Sequence, residues 1–396
     1  MKPVYLDYHA TTPVDPRVLE AMLPYFTEKF GNAASRQHAW GWEARDAVDE
    51  ARARVAALIN AAPSEITFTS GASESNNLAL KGVVAAARAG SDADAASTAA
   101  RHVVTSAVEH KSVLDVCRGF GEVGCDVTVV GVTASGVIDL EALARAVRPG
   151  TILVSVMAAN NEIGTIQPLA EIAAIAHAAG ALFHTDAAQA VGKIPIDVAA
   201  ADVDLLSLTA HKFYGPKGSG ALFIRKRRPR LSIPPQIAGG GQENGLRSGT
   251  LNVPGAVGLG RAAEICRLEM AEESRRLAAL RDRLLAGLRA HLAGGVHVNG
   301  TLSPRLPHNL HVSFDAVEGE ALLMALGDLA VSTGSACASG SQAISHVLEA
   351  IGATSDRGRA SIRFGLGRGT TEQEIDIAID RVTAVVTALQ RSAAAR

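Results

Sequence analysis

Lys212 sits where an apolar run, Leu205 to Leu208, gives way to a turn rich in glycine and proline, Tyr214 to Gly218. A lysine at the end of a buried strand loses hydration, which favours the neutral, nucleophilic amine that a Schiff base requires. A lysine that snorkels its ammonium into water fits the dipeptide alone better. Asp186 ends a second apolar run, Ala181 to Thr185. A carboxylate there is costly unless something pairs with it. It suits holding a pyridinium nitrogen protonated, and equally suits capping the next helix. Gln189 falls on the same side if that segment is helical, placed to donate to a phenolic oxygen.

Four further segments belong with these two. Ser70-Gly71-Ala72-Ser73 lies between a short strand and a helix, where backbone amides and a hydroxyl make either an anion site or an ordinary N-cap. His110, after the strand expected over His102 to Ala107, and Asn160-Asn161, after the one over Ile152 to Met157, occupy strand ends that suit ligand contacts or plain turns. Cys337 lies in Ser332 to Ser341, a loop of small residues that suits an exposed, reactive thiol. Arg363, on a late strand, could fork onto a carboxylate or sit at the surface. Together these supply a phosphate cradle, an acid for a ring nitrogen, an imine-forming lysine, a carboxylate clamp and a thiol. That set describes pyridoxal phosphate chemistry on a small amino acid.

The elements that must position them alternate. Strands are expected at 65–69, 102–107, 127–132, 152–157, 181–185, 203–208 and 220–225, with helices between them. This implies a mainly parallel sheet covered on both faces, whose ligands gather at the carboxyl ends of its strands. The pattern changes after Val253-Pro254-Gly255. A long helix is expected from Ala262 to Leu292, then strands at 309–314 and 361–364. A last helix is capped by Thr371 and Glu374, with Ile375, Ile379, Val382, Val386 and Leu389 on one face. The segment Ala89 to Ala100 is small and polar, as in a surface loop.

Composition removes other classes. The chain has 396 residues, 47% hydrophobic and 20% charged, with net charge -2 and pI near 6.6. It is long enough for two domains and shows no pull towards nucleic acid or an anionic membrane. The one basic run, 225–228, ends at Pro229 and suits a solvated turn. No apolar stretch suggests a signal peptide or a membrane span. The four cysteines form no CxxC pair, so neither a disulfide framework nor a resident metal is expected, and a reducing, cytoplasmic setting fits.

Motifs through the chain then give a resemblance. They are YLDYHATTPVDP (Tyr5–Pro16), FTSGASESNN (Phe68–Asn77), Glu109-His110-Lys111, NNEIGTIQP (Asn160–Pro168) and HTDAAQAVGK (His184–Lys193). They continue with AHKFYGPKG (Ala210–Gly218), RSGTLN (Arg247–Asn252), STGSACASG (Ser332–Gly340) and SIRFGLGR (Ser361–Arg368). The sequence resembles the cysteine desulfurases of the class V aminotransferase superfamily, in the nitrogen-fixation and iron–sulfur-assembly group. The resemblance implies the α/β fold of type I pyridoxal phosphate enzymes. A large cofactor domain with a mainly parallel seven-stranded sheet would span 16–260. A smaller α+β domain, formed by 1–15 and 261–396, would carry the cysteine loop.

It also implies roles. Lys212 would hold the cofactor, with Asp186 on the pyridine nitrogen, Gln189 on the phenolic oxygen and His110 stacked on the ring. Ala72, Ser73, Thr209, Ala210 and His211 would hold the phosphate, with Thr250 reaching in from the second subunit of a homodimer. Arg363 and Asn161 would bind the carboxylate of L-cysteine, and Asn161 would also touch the cofactor. Cys337 would take the sulfur as a persulfide and pass it to an acceptor such as an iron–sulfur scaffold protein or a tRNA-thiolation enzyme. Through that persulfide, Cys337 could also ligate a cluster in transit.

Overall fold

A computed structural model describes residues 3–89, 101–226, 231–292, 294–333 and 344–394. Cys337, residues 90–100 of the small polar segment and 227–228 of the basic run lie outside the described residues. The described strands are β1 (Val4–Tyr5), β2 (Ile66–Thr69), β3 (Arg101–Ser106), β4 (Cys125–Val130), β5 (Thr151–Ser155) and β6 (Leu182–Asp186). They continue with β7 (Leu205–Thr209), β8 (Gly220–Ile224), β9 (Val296–Val298), β10 (Asn309–Phe314), β11 (Leu329–Ala330) and β12 (Ser361–Gly365).

Seven strands form one sheet in the order β2-β8-β7-β6-β5-β3-β4. The run from β7 to β4 is parallel throughout. Strand β8 lies antiparallel to both β7 and β2. This is the mainly parallel seven-stranded sheet expected from the sequence. Successive side chains of a strand point to opposite faces, and here each face has its own core. Val104, Val154, Phe183 and Leu206 pack with the helices Ala39–Leu58 and Val253–His291. Their neighbours Val103, Leu153, Leu182 and Leu205 pack with the helices Ala72–Ala89 and Lys111–Arg118. Burial on both faces is why these strands are apolar runs without alternation.

A further core gathers around the antiparallel sheet β12-β10-β9. Leu310, Val312, Ile362 and Phe364 meet Ile375, Ile379, Val382 and Val386 of the helix Glu372–Ala394 there. The capping box forms as expected: Thr371 N donates to Glu374 Oε2 at 2.8 Å, and Glu374 N to Thr371 Oγ1 at 3.2 Å.

Several strand boundaries shift by one or two residues, and the long helix starts earlier than expected. Strand β4 starts at Cys125, two residues early. The long helix starts at Val253, through the Pro-Gly pair taken as a break. Proline is tolerated in a first helical turn, where its missing N–H has no partner to lose. Asn252 caps the helix by accepting from Gly255 N at 3.0 Å. One helix therefore reaches from the core around Val257 and Cys266 to the core around Leu280 and Leu284.

The N-terminal arm makes a second link. Val4 and Tyr5 pair with Leu329 and Ala330, and Leu6 is buried in the core around β10. Beyond it, Thr12 N donates to His211 O at 2.9 Å and Asp15 N to Tyr214 O at 3.0 Å, beside Lys212. Among the described residues, no helix is long and apolar enough to cross a membrane.

Five histidines, His9, His102, His184, His308 and His311, are buried, and burial lowers the pKa of His102 as of the others. Burial holds His184 and His311 down to about 3, and lowers His9 and His308 well below the ordinary value. The unfolded chain takes these protons near pH 6.5 and the folded chain does not, so unfolding takes up protons. Their stabilisation is complete above about pH 6.5 and fades towards pH 3, by at most ~1.4 kcal/mol per pH unit for each histidine. Burial raises Glu109 to about 8 and raises Glu162, which act in the opposite sense but are fewer. Urea titrations should therefore show the unfolding midpoint falling steeply from pH 7 to pH 5; a flat or rising midpoint would contradict this assignment.

Candidate active site

The parallel strands bring their carboxyl ends to one edge of the sheet, where a cavity of about 570 Å³ opens. Ala72 and Ser73 follow β2, His110 follows β3 and Asn161 follows β5. Asp186 ends β6 and Gln189 follows it, while Thr209 ends β7 and His211 and Lys212 come next; all of these line the cavity. Arg363 of β12 and the arm residues His9 to Thr11 complete the wall.

One end is built to receive an anion. Gly71 has φ +152°, a conformation that favours glycine, and turns the chain so that Ala72 opens an 18-residue helix with its amides at the cavity. The turn rests on β8: a Cβ on Gly220 would lie 2.5 Å from Gly71 Cα. Glu74 also lines this end, but its carboxylate accepts from Ser70 N at 2.8 Å and from Arg247 Nε at 2.9 Å. Burial, then Lys212 and Lys217, push the His211 imidazole down to about 4. It is therefore a neutral donor near pH 7. Two expected residues stand back. Ala210 is buried behind the wall, its N–H donated to Ser219 O. Thr250 is exposed and lines a separate depression with Ser70, Gly218 and Arg247.

At the other end Asp186 is 5% exposed. Its Oδ2 accepts from Asn76 Nδ2 at 2.7 Å and its Oδ1 from Ala188 N at 2.9 Å. It thus tightens the local turn, as a cap would, and still faces the cavity. Among the described residues, no cationic side chain forms an ion pair with it. Asn76 Nδ2 also donates to Ser112 Oγ at 2.8 Å. Ser112 in turn meets His110 Nδ1 through its hydroxyl at 2.8 Å and its backbone N–H at 3.1 Å. The backbone donor makes Nδ1 an acceptor, so His110 in its neutral form carries its proton on Nε2. Lys212 is half-buried, and its Nζ donates to Ala10 O at 2.9 Å and to His9 O. Gln189 is held by His9, through Nδ1 to Oε1 at 3.0 Å and through Nε2 to His9 O at 3.1 Å.

Arg363 is buried, not at the surface. Its Nη1 donates to Asn161 O at 2.9 Å and its Nη2 pairs with Asp7 Oδ1 at 2.9 Å. Asn160, by contrast, is a turn residue, accepting from Glu162 N and Ile163 N. The described residues flanking the Cys337 segment are fixed at this wall. Arg363 N donates to Ser332 O at 2.7 Å. On the far side, Ser345 Oγ donates to Glu162 Oε2 at 2.5 Å, and both Glu162 and His346 line the cavity. The other three cysteines are buried, which pushes Cys117 up to about 12, Cys266 to about 11, and raises Cys125.

The donor set fits a group with an anionic end, a ring nitrogen that gains from a carboxylate and a carbonyl that an amine can take. The matching parts are the Gly71 turn, Asp186 with no cation among the described residues, and Lys212, whose strand lies between theirs in the sheet. A model of the aminotransferase class-V family matches residues 4–377. The chain belongs to that family. As a class-V aminotransferase homologue it is 55% identical over 377 residues to a protein named cysteine desulfurase IscS from Anaeromyxobacter sp. (strain K), covering 95% of this chain and 91% of that one. It is 51% identical over 389 residues to the protein of the same name from Rickettsia akari (strain Hartford), covering 98% and 92%. A solved structure named NifS-like protein superimposes with a TM-score of 0.88 at 39% identity, covering 98% of this chain and all of that one.

Sequence reasoning missed His9, Asp7 and Asn76. Asp7 and His9 lie on an arm with no periodic pattern, more than 180 residues from most of their partners. Asn76 carried a usable signal: a buried amide one turn into the helix that starts at the anion turn. Replacing Asn76 by Ala would leave the Asp186 carboxylate short of a donor. Asn76→Ala should lower the unfolding free energy of the cofactor-free protein by about 2 kcal/mol. Urea titration checks this, and an unchanged midpoint would show that the amide does not stabilise Asp186.

Proposed function

We propose that this class-V protein is a cysteine desulfurase, which takes sulfur from L-cysteine, releases L-alanine and keeps the sulfur as a persulfide on Cys337. One observation carries the reading. A lysine amine and a buried carboxylate that has no cation among the described residues share a cavity whose wall also anchors both described flanks of the Cys337 segment. The buried, protonated state of the other three cysteines supports the same assignment, since only a thiolate accepts sulfur.

Pyridoxal phosphate, when bound, supplies an electron sink for charge developing at the substrate α-carbon. The amides of the Gly71 turn, including Ala72 and Ser73, would hold its phosphate with Thr209, Ala210, His211 and the partner subunit's Thr250. Lys212 would hold it covalently through Nζ. Asp186 would keep the ring nitrogen protonated, Gln189 would donate to the phenolic oxygen and His110 would stack on the ring. Arg363 and Asn161 orient the cysteine carboxylate beside the ring. Lys212 Nζ, set free when the amine of the incoming cysteine takes its place, would remove the α-proton and later return one. Cys337 thiolate would attack the substrate sulfur, forming an S–S bond as the C–S bond breaks; the C–S electron pair passes to the carbon fragment, which takes up protons and leaves as alanine. His110, whose neutral form carries its proton on Nε2, lines the cavity and is the proton carrier assigned to this step.

The same reading makes the protein a cytoplasmic homodimer with a large domain over 16–260 and a small one over 1–15 and 261–396. Its sulfur passes to an acceptor protein such as an iron–sulfur scaffold or a tRNA-thiolation enzyme.

Two variants test the reading by spectrum and turnover. Lys212→Ala should fail to develop the visible absorption band that wild type gains with pyridoxal phosphate. Cys337→Ser should keep that band and lose alanine release from L-cysteine by roughly a thousandfold or more. A Cys337→Ser protein that turns over cysteine at the wild-type rate would refute the proposed role of that thiol.

A further inference from the structure

The cavity borders a buried histidine on the N-terminal arm whose hydrogen bonds have a fixed polarity. Asn309 Nδ2 donates to the backbone oxygen of Glu162 at 2.9 Å, so that atom must be the amide nitrogen. The same Nδ2 lies 3.0 Å from His9 Nε2, which must therefore accept. A neutral imidazole that accepts at Nε2 carries its proton on Nδ1. Nδ1 lies 3.0 Å from Gln189 Oε1, so the hydrogen bond runs from His9 to Gln189. Gln189 Nε2 donates one proton to the backbone oxygen of His9 at 3.1 Å. Its second N–H is the only donor left on a side chain that lines the cavity.

The imidazole is boxed in. It stacks on His308 with ring centroids 4.3 Å apart and planes 29° apart. A Cβ on Gly365 would lie 2.8 Å from His9 Cδ2. The groups facing it are Gln189, Asn309 and His308, with Arg363, Lys212 and Lys193 as the charges that act on it. Burial, then Arg363, holds its pKa well below the ordinary value, so it keeps the one-proton form this polarity needs.

We propose that His9 is a positioning residue: by donating from Nδ1 to Gln189 Oε1 it locks the glutamine amide in the orientation that presents an N–H to the cofactor's phenolic oxygen. This rests on the cofactor reading above, which gives Gln189 its target. Without the lock only the bond from Gln189 Nε2 to the His9 backbone oxygen opposes a flip that would turn the amide oxygen towards the phenolic oxygen, where two acceptors repel. The backbone oxygen of His9 also accepts from Lys212 Nζ, so one residue organises both side chains.

A donor to the phenolic oxygen withdraws charge from it, so the proton shared with the lysine nitrogen leaves at lower pH. The test is the pH midpoint of the visible band in protein loaded with pyridoxal phosphate. Gln189→Leu and His9→Leu should each raise that midpoint by about one pH unit. The double variant should shift no further than either single one. His9→Asn, whose Nδ2 can stand in for Nδ1, should titrate close to wild type. His9→Ala replaces His9→Leu if the latter does not fold. A His9→Leu or His9→Ala protein that titrates as wild type while Gln189→Leu is shifted would overturn the proposal, as would additive shifts. Nitrogen NMR of the histidines in cofactor-free wild type gives an independent reading: a proton on Nδ1 of His9 supports the lock, and one on Nε2 overturns it. Wild-type protein left colourless by pyridoxal phosphate would instead overturn the cofactor reading, and this inference with it.

Discussion

Asp186 is a carboxylate that folding has taken almost wholly out of water without giving it a cation among the described residues. A buried charge is expensive, and two neutral donors offset only part of that cost. The arrangement would become favourable with a cationic group facing it, such as the ring nitrogen of the proposed cofactor. The parallel strand β6 delivers Asp186 to the edge where β7 delivers Lys212. The helix that begins at the anion turn supplies Asn76 to hold the carboxylate. Asn76 then reaches through Ser112 to His110, so the carboxylate and the histidine proposed to stack on the ring share one network.

The two ends of the chain are as necessary as the sheet. The arm starts in the core around β10, crosses the cavity wall at His9 and Ala10, and is pinned next to Lys212 by Thr12 and Asp15. Arg363 reaches the same wall from β12 and is paired there with Asp7 of the arm. The 39-residue helix Val253–His291 ties the core under the sheet to the core around β10.

Much of this was legible in the sequence because burial on both faces writes strands as apolar runs, and functional side chains sit where those runs stop. Asp186, Lys212 and His110 could be placed at strand ends that way, and the sheet followed from the alternation. What could not be read was partner choice. Nothing local says that Gln189 answers to His9, Asp186 to Asn76 or Arg363 to Asp7, because those contacts depend on the tertiary path of an aperiodic arm. Arg363 looked equally suited to the surface, since its burial depends on Asp7 and Asn161. Val253-Pro254-Gly255 misled for a different reason: the pair that stops a helix can also sit in the first turn of one.

The most direct test of the central claim is to find where the sulfur goes. Wild-type protein, loaded with pyridoxal phosphate and free of reductant, would be mixed with one equivalent of L-cysteine. The peptides would then be weighed and the alanine counted. A desulfurase of the proposed kind should gain one sulfur atom on the peptide containing Cys337, with L-alanine formed in equal amount. Alanine formed with no added sulfur on that peptide, or sulfur found only on Cys117, Cys125 or Cys266, would contradict it.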